Sequence, residues 1–194
     1  MIEEIRLNNE KKGGFLSFVV LLLIFIIAFN ILNTFVMIVQ VDGTSMNNTL
    51  SHGDILVVDR KVDIERGDVV IFDRTYGKLI KRVIAIEGDE VYSENGEVYL
   101  KKVGETEFLK LEEGYINGIT EGLNHTVVGE NKVLVLGDNR INSKDSRDFG
   151  AIDVSTICGE VSTSAIENKG ISTFLLGWIF KISDFLGGLN DWVL

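Results

Sequence analysis

The chain has 194 residues, of which 45% are hydrophobic and 25% charged, proportions that exclude a disordered or low-complexity chain. A net charge of −10 argues against tight nucleic-acid binding, and a single cysteine with two histidines excludes a disulfide framework, a Cys-based zinc site and a His-rich metal centre. Proline is absent, where a usual frequency of about 5% would give roughly ten, so rigid proline turns and polyproline linkers are excluded too.

Residues 1–14 read as a polar cytoplasmic tail. From Phe15 to Val39 there is no charged residue. At about 1.5 Å per helical residue the run reaches roughly 37 Å, enough to cross a bilayer core of about 30 Å with some tilt. Buried core helices rarely hold so long an apolar run, and the apolar region of a cleaved signal peptide spans only about 7–15 residues. Residues 15–39 are therefore expected to be an uncleaved transmembrane anchor helix. Arg6, Lys11 and Lys12 precede it, and no Lys or Arg follows until Arg60. That bias predicts a single-pass protein of the cell membrane, with its N-terminus cytoplasmic and the rest of the chain outside.

Residues 40–170 read as a mainly β domain. Val- and Ile-rich runs at Ile55–Asp59, Asp68–Phe72, Leu79–Ile86 and Lys132–Leu136 lie between Gly or Asp signals. Val91–Leu100 holds Glu94-Asn95-Gly96, a strong hairpin turn because Asn and Gly accept positive φ. Residues 101–131, glycine-rich and charged, read as a looser, exposed insertion. At the end, residues 171–194 carry an apolar stripe at helical period from Phe174 to Leu189, with Trp178 and Trp192 suited to a headgroup interface. An interfacial amphipathic helix is expected there, with packing on the domain and a second span as alternatives.

Few chemistries suit such a chain. His52 and His125 read as surface loop residues, no G-x-S-x-G is present, and Cys158 lies in a probable strand, Ile157–Val161, as a small buried residue. A hydroxyl nucleophile activated by a neutral lysine needs neither metal nor histidine, but the lysine must be desolvated, because an ammonium cannot accept the serine proton. Ser45 follows the apolar run, and Lys81 sits in an apolar strand on one face with Leu79 and Val83. Spacing alone does not settle either and favours the plainer readings, Lys81 as a solvated edge-strand lysine and Ser45 as a polar loop residue.

A third stretch changes the balance. Gly137-Asp138-Asn139-Arg140-Ile141-Asn142-Ser143-Lys144-Asp145-Ser146-Arg147-Asp148 is a dense polar loop directly after an apolar strand. Together with Ser45-Met46-x-x-Thr49-Leu50, Arg66-Gly67-Asp68-Val69-Val70 and Lys81-Arg82-Val83-Ile84, in that order, it resembles the bacterial type I signal peptidases. The likeness covers the anchor and most of residues 36–152.

That resemblance implies a signal-peptidase-like β domain of twisted antiparallel sheets, active outside the cytoplasm without metal or cofactor. Ser45 matches the nucleophile, Lys81 the general base, and Ser143 the hydroxyl that orients the lysine amine. Arg82 with Asp138, and Asp145 with Arg147, match charged residues that hold the loop near the lysine. The Ser45 backbone N–H would donate to the oxyanion. Gly43 stands where some members have a hydroxyl as second donor, and Met46 matches a residue beside the substrate channel. The implied partners are signal peptides of exported preproteins, cleaved after small residues, together with the lipid bilayer and nearby export machinery; nucleic acid is not one. Two rival classes are a non-catalytic membrane assembly or chaperone subunit of similar fold and a self-cleaving repressor-type Ser-Lys protease. Retention of Ser45, Lys81 and Ser143 argues against the first, and the apolar run with an acidic balance against the second. The family usually has proline where this chain has Asn48, Glu87 and Gly129, so Asn48→Pro is expected to be tolerated.

Overall fold

The computed structural model describes residues 2–60, 63–75, 77–171 and 192–193, and at 2–14, 29, 31–33, 36, 192 and 193 only the backbone. The chain divides into two units, residues 1–36 and 37–194. Helix α1, Ile2–Phe35, makes up nearly all of the first. Its described side chains at 15–28 are apolar apart from Ser17 and almost all exposed, Phe15 at 71% and Phe25 at 66% among them. Among the described residues no helix is long and apolar enough to cross a membrane. The helix ends four residues before the expected boundary at Val39. Strand β1, Val36–Val41, begins instead, with Met37, Val39 and Val41 in the core of the second unit. Apolarity could not separate the two elements; the β-branched residues Val36, Ile38, Val39 and Val41 favour the strand.

The second unit continues with β2 (Ile55–Asp59), β3 (Val69–Arg74), β4 (Gly77–Ile86), β5 (Glu90–Glu94), β6 (Glu97–Lys101), β7 (Leu109–Lys110), β8 (Thr126–Val127) and β9 (Lys132–Leu136). Then come α2 (Ser146–Phe149), β10 (Ile152–Asp153), β11 (Ile157–Val161), α3 (Thr163–Glu167) and β12 (Trp192–Val193). The predicted strands at 55–59, 132–136 and 157–161 coincide with β2, β9 and β11, and the other two are each displaced or extended by one or two residues. The expected C-terminal helix falls on residues 172–191, outside the described residues. Trp192, expected at a headgroup interface, has strand backbone in β12.

Two sheets result. The larger has the order β10-β9-β4-β12-β1-β2-β11-β3, and β3 pairs again with β4, so that β4, β12, β1, β2, β11 and β3 close into a ring. β4 is the hub of this sheet. Its first half pairs antiparallel with β3, from Gly77↔Arg74 to Arg82↔Val69, and its second half with β9, from Arg82↔Leu136 to Ile86↔Val133. β12 lies between β1 and β4 and runs parallel to both, with Trp192 opposite Gln40 and Val193 opposite Val41 and Lys78. The ring interior is filled by residues such as Val39, Leu50, Leu56, Val58, Ile71 and Ile80. Burying such side chains supplies about 1.5–3 kcal/mol each. Leu79 and Val83 point to a separate cluster around Phe72 and Val135.

The smaller sheet, β7-β6-β5-β8, is antiparallel, and its β5–β6 hairpin turns at Asn95 (φ 52°) and Gly96 (φ 85°). Two consecutive positive φ values are the requirement of a type I′ turn, which explains the Asn-Gly pair. Asp89, wholly buried at the entry to β5, accepts bonds from Arg66 Nε and Nη2, both at 2.7 Å, and from the backbone N–H groups of Ile86 and Val103. Its carboxyl is desolvated, which raises its pKa, but these donors outweigh burial and hold it below the usual carboxylate range. The two sheets are joined there. The insertion at 101–131 is less loose than expected, since it contributes β7 and β8 and its segment 113–120 packs on the polar loop after β9.

Candidate active site

Ser45 stands in a run of tight turns between β1 and β2. Asn47 N–H donates to Thr44 O at 3.1 Å, and Thr49 and Leu50 N–H both donate to Met46 O. Met46 and Leu50, each 1% exposed, plug this loop into the ring core. Met46 is thus a core residue. Gly43 (φ 95°) directs its N–H to His52 Nδ1 at 3.3 Å.

Lys81 enters from β4 and is 1% exposed. Its Nζ lies 2.8 Å from Ser45 Oγ and donates to Ile80 O at 2.8 Å. Alternation along β4 puts Lys81 on one face with Leu79 and Val83, and the groups that cover it come from the Ser45 loop and the polar loop after β9. Burial pushes the ammonium down to a pKa of about 8, against the opposing pull of the Asp145 and Asp138 carboxylates. A lysine within reach of a serine hydroxyl and partly neutral near physiological pH can accept its proton.

The polar loop closes over this pair. Arg82, next along β4, makes a bidentate pair with the wholly buried Asp138, Nε to Oδ1 at 2.9 Å and Nη2 to Oδ2 at 2.6 Å. Asp138 also accepts from Thr49 Oγ1 at 2.5 Å, which ties the Ser45 loop to the same carboxylate. Asp145 caps α2 in a reciprocal capping box with Asp148 and accepts from Gly137 N–H at 3.0 Å and from Arg147 Nε and Nη2, both at 2.8 Å. Desolvation would raise its pKa, but Arg147 and the Gly137 N–H hold it low and charged.

Ser143 lies beside Gly137 and the Ser45 backbone. A Cβ placed on Gly137 would lie 2.1 Å from Ser143 Oγ and 2.6 Å from Ser45 O, so only glycine lets these three positions approach. Ser143 Oγ is buried and makes no hydrogen bond, and Lys81 Nζ is bonded to Ser45 and Ile80 instead. A buried hydroxyl left without a partner is uncommon and marks a position where a bond to a neighbouring polar group is to be expected.

The structure thus brings Ser45, Lys81, Ser143, Arg82, Asp138, Asp145 and Arg147 to one place. His52 and His125 pair with Asp42 and Glu90 at the surface. Cys158 donates to Asp73 at 3.2 Å, and burial with that carboxylate pushes its thiol up to about 11, away from nucleophilic duty. No cluster of metal-ligating side chains occurs among the described residues.

Several contributors had no role in the sequence reading. Asn139 N–H donates to Ser45 O at 3.0 Å, and its side chain to Thr44 O at 3.0 Å. Arg140 is wholly buried, donating to Gly137 O at 3.0 Å and forming a bidentate pair with Glu113 at 2.9 and 2.5 Å. Asn139 and Arg140 lie inside the polar loop that drew attention. Glu113 has no local signal, because nothing in a charged, glycine-rich stretch marks one carboxylate as buried.

The signal peptidase, peptidase S26 family model matches residues 15–166. The chain is 37% identical to signal peptidase IB of Staphylococcus aureus over 140 residues, 63% of this chain and 73% of that one. It is 35% identical to signal peptidase I of Bacillus caldolyticus over 135 residues, 62% of this chain and 74% of the other. A crystal structure of a signal peptidase I from Enterococcus faecalis V583 aligns with a TM-score of 0.41 and 24% identity, over 52% of this chain and 98% of that one. With a family match across most of its length, the chain belongs to the peptidase S26 signal peptidases, as a serine hydrolase of the bacterial type I group.

Proposed function

We propose that this protein removes signal peptides from exported preproteins by acyl transfer to Ser45, with Lys81 as general base. The observation that carries the reading is the 2.8 Å approach of a 1% exposed lysine amine to Ser45 Oγ. Ser45 Oγ attacks the carbonyl that follows a small residue, and neutral Lys81 takes its proton. Lys81 then returns the proton to the leaving amine and activates the water that hydrolyses the acyl-serine. Ser143 orients the amine once its hydroxyl turns to Nζ, and the Ser45 N–H donates to the oxyanion. Arg82–Asp138 and Asp145–Arg147 hold the loop over the lysine.

The preprotein binds extended between β1 and β4, adding main-chain hydrogen bonds to both. Support comes from β12, which occupies that place in strand conformation. A peptide parallel to β1 has its C-terminal side directed toward Ser45, the polarity the acyl half of a substrate needs. The uncharged run at 15–39, the exposed apolar side chains of α1, and Arg6, Lys11 and Lys12 before them support a single membrane anchor with a cytoplasmic N-terminus and an extracytoplasmic β domain. Ser45 follows Phe35, the last residue of α1, by ten residues, so the anchor tethers enzyme and membrane-bound substrate at raised effective concentration. Ser45→Ala and Lys81→Ala should each abolish preprotein cleavage in purified membranes while thermal unfolding stays cooperative. A serine-acylating peptide mimic should label the parent chain but not Ser45→Ala. Full cleavage by either variant would overturn the assignment.

A further inference from the structure

The segment 113–120, although remote in sequence from every catalytic position, is wired to the site at both ends. Asn117 forms a parallel bridge with Asn139, with Asn117 N–H donating to Asp138 O at 2.7 Å and Arg140 N–H to Asn117 O at 3.0 Å. Asn48 Nδ2, in the nucleophile loop, donates to Ile116 O at 3.1 Å. The Arg82 guanidinium lies over the Tyr115 ring, 4.0 Å from its centroid. Tyr115 in turn donates its hydroxyl to Glu113 Oε1 at 2.8 Å, and Glu113 is the carboxylate that neutralises buried Arg140.

We infer that Tyr115, held by Glu113, is a positioning residue for catalysis: its ring presses Arg82 onto Asp138 and so keeps Lys81 able to act as a neutral base. The charges facing Lys81 are Asp138 and Asp145 from the polar loop, offset by Arg82 from β4 and by Arg147 from α2; Arg140 and Glu113 neutralise each other behind that loop. Asp138 favours the ammonium form of Lys81, and the paired guanidinium cancels most of that field. The aromatic face holds the guanidinium by cation–π attraction and shields it from water. Without the ring, Arg82 is freer and water reaches the pair. Both changes favour protonated Lys81, the less screened Asp138 by attraction and the water by hydration. The tyrosine hydroxyl is secondary, since it only fixes the ring on Glu113.

This inference rests on Lys81 being the base, and the test separates the two. In full-length protein, Tyr115→Leu should move the acidic limb of the kcat/KM profile about half a pH unit or more upward, lowering kcat/KM roughly three- to tenfold at pH 7. The alkaline plateau and KM should stay within about twofold. Tyr115→Phe, which keeps the ring, should restore the limb, and Tyr115→Met replaces Tyr115→Leu should the latter not fold. In parallel, the pH dependence of Lys81 amine acylation, read by mass spectrometry in a Ser45→Ala background, should shift by a similar amount with Tyr115→Leu. An unmoved labelling curve, or a loss of activity equal at every pH, overturns the role of Tyr115. A labelling shift without a shift of the kcat/KM limb supports the brace and overturns Lys81 as base.

Discussion

Lys81, the proposed general base, is buried at a cost in stability. Its folded pKa of about 8 lies below the ordinary lysine value of 10.5 because burial disfavours the ammonium. Between those values the unfolded chain binds more protons than the folded one, so stability rises with pH across that window and the full penalty is present below it. At pH 7 only about a tenth of the lysine is neutral. The kcat/KM profile for a peptide substrate should therefore climb roughly tenfold per unit up to an apparent pKa near 8. Lys81→Met, similar in length but never charged, should be inactive yet more stable by roughly 2–3 kcal/mol at pH 7. Urea unfolding at pH 7 and pH 10.5 should show that advantage shrinking at the higher value. Lys81 burial was left open by the strand pattern. Its face was legible from alternation with Leu79 and Val83, but whether that face meets solvent depends on the polar loop at 137–148 and on Ser45, which arrive from elsewhere in the chain.

At the scale of elements, the Ser45 loop departs from expectation. Asn48 has φ 86°, in the left-handed region, and its side chain donates to Ile116 O. Proline, confined near φ −65°, cannot take that conformation. The expectation that Asn48→Pro is tolerated is therefore reversed: the variant should lose most of its cleavage activity and about 1–3 kcal/mol of stability. Asn48→Gly, which accepts positive φ, should keep the fold and most activity, losing only the bond to Ile116. Thermal unfolding and peptide cleavage for the pair check this. Asparagine supports this loop geometry and also uses its side chain to grip the 113–120 segment. Where local chemistry dictates backbone, as in the Asn95-Gly96 turn or in the β-branched runs of β2, β9 and β11, the elements were legible. Where φ is chosen by a distant partner, they were not.

For the whole molecule, the closed ring depends on β12. β1 and β4 converge on the site, and Trp192–Val193 fills the gap between their edges. An incoming extended peptide that uses the same edges has to displace this pair. Val193→Pro removes a backbone donor and disfavours strand pairing, so KM for a signal-peptide substrate should fall while kcat stays unchanged, as steady-state kinetics on the full-length protein would register. The sequence by itself determined the β character of residues 40–170, most strand positions and the family, because period-2 apolar runs, Asn-Gly turns and the dense polar block are local patterns. Tertiary structure alone decided three things: the core position of Met46, the desolvation of Lys81, and the packing of Tyr115, bonded to Glu113, on Arg82. Each depends on which distant residues exclude water from a side chain, and burial and the pKa shifts that follow from it are properties of the packed chain.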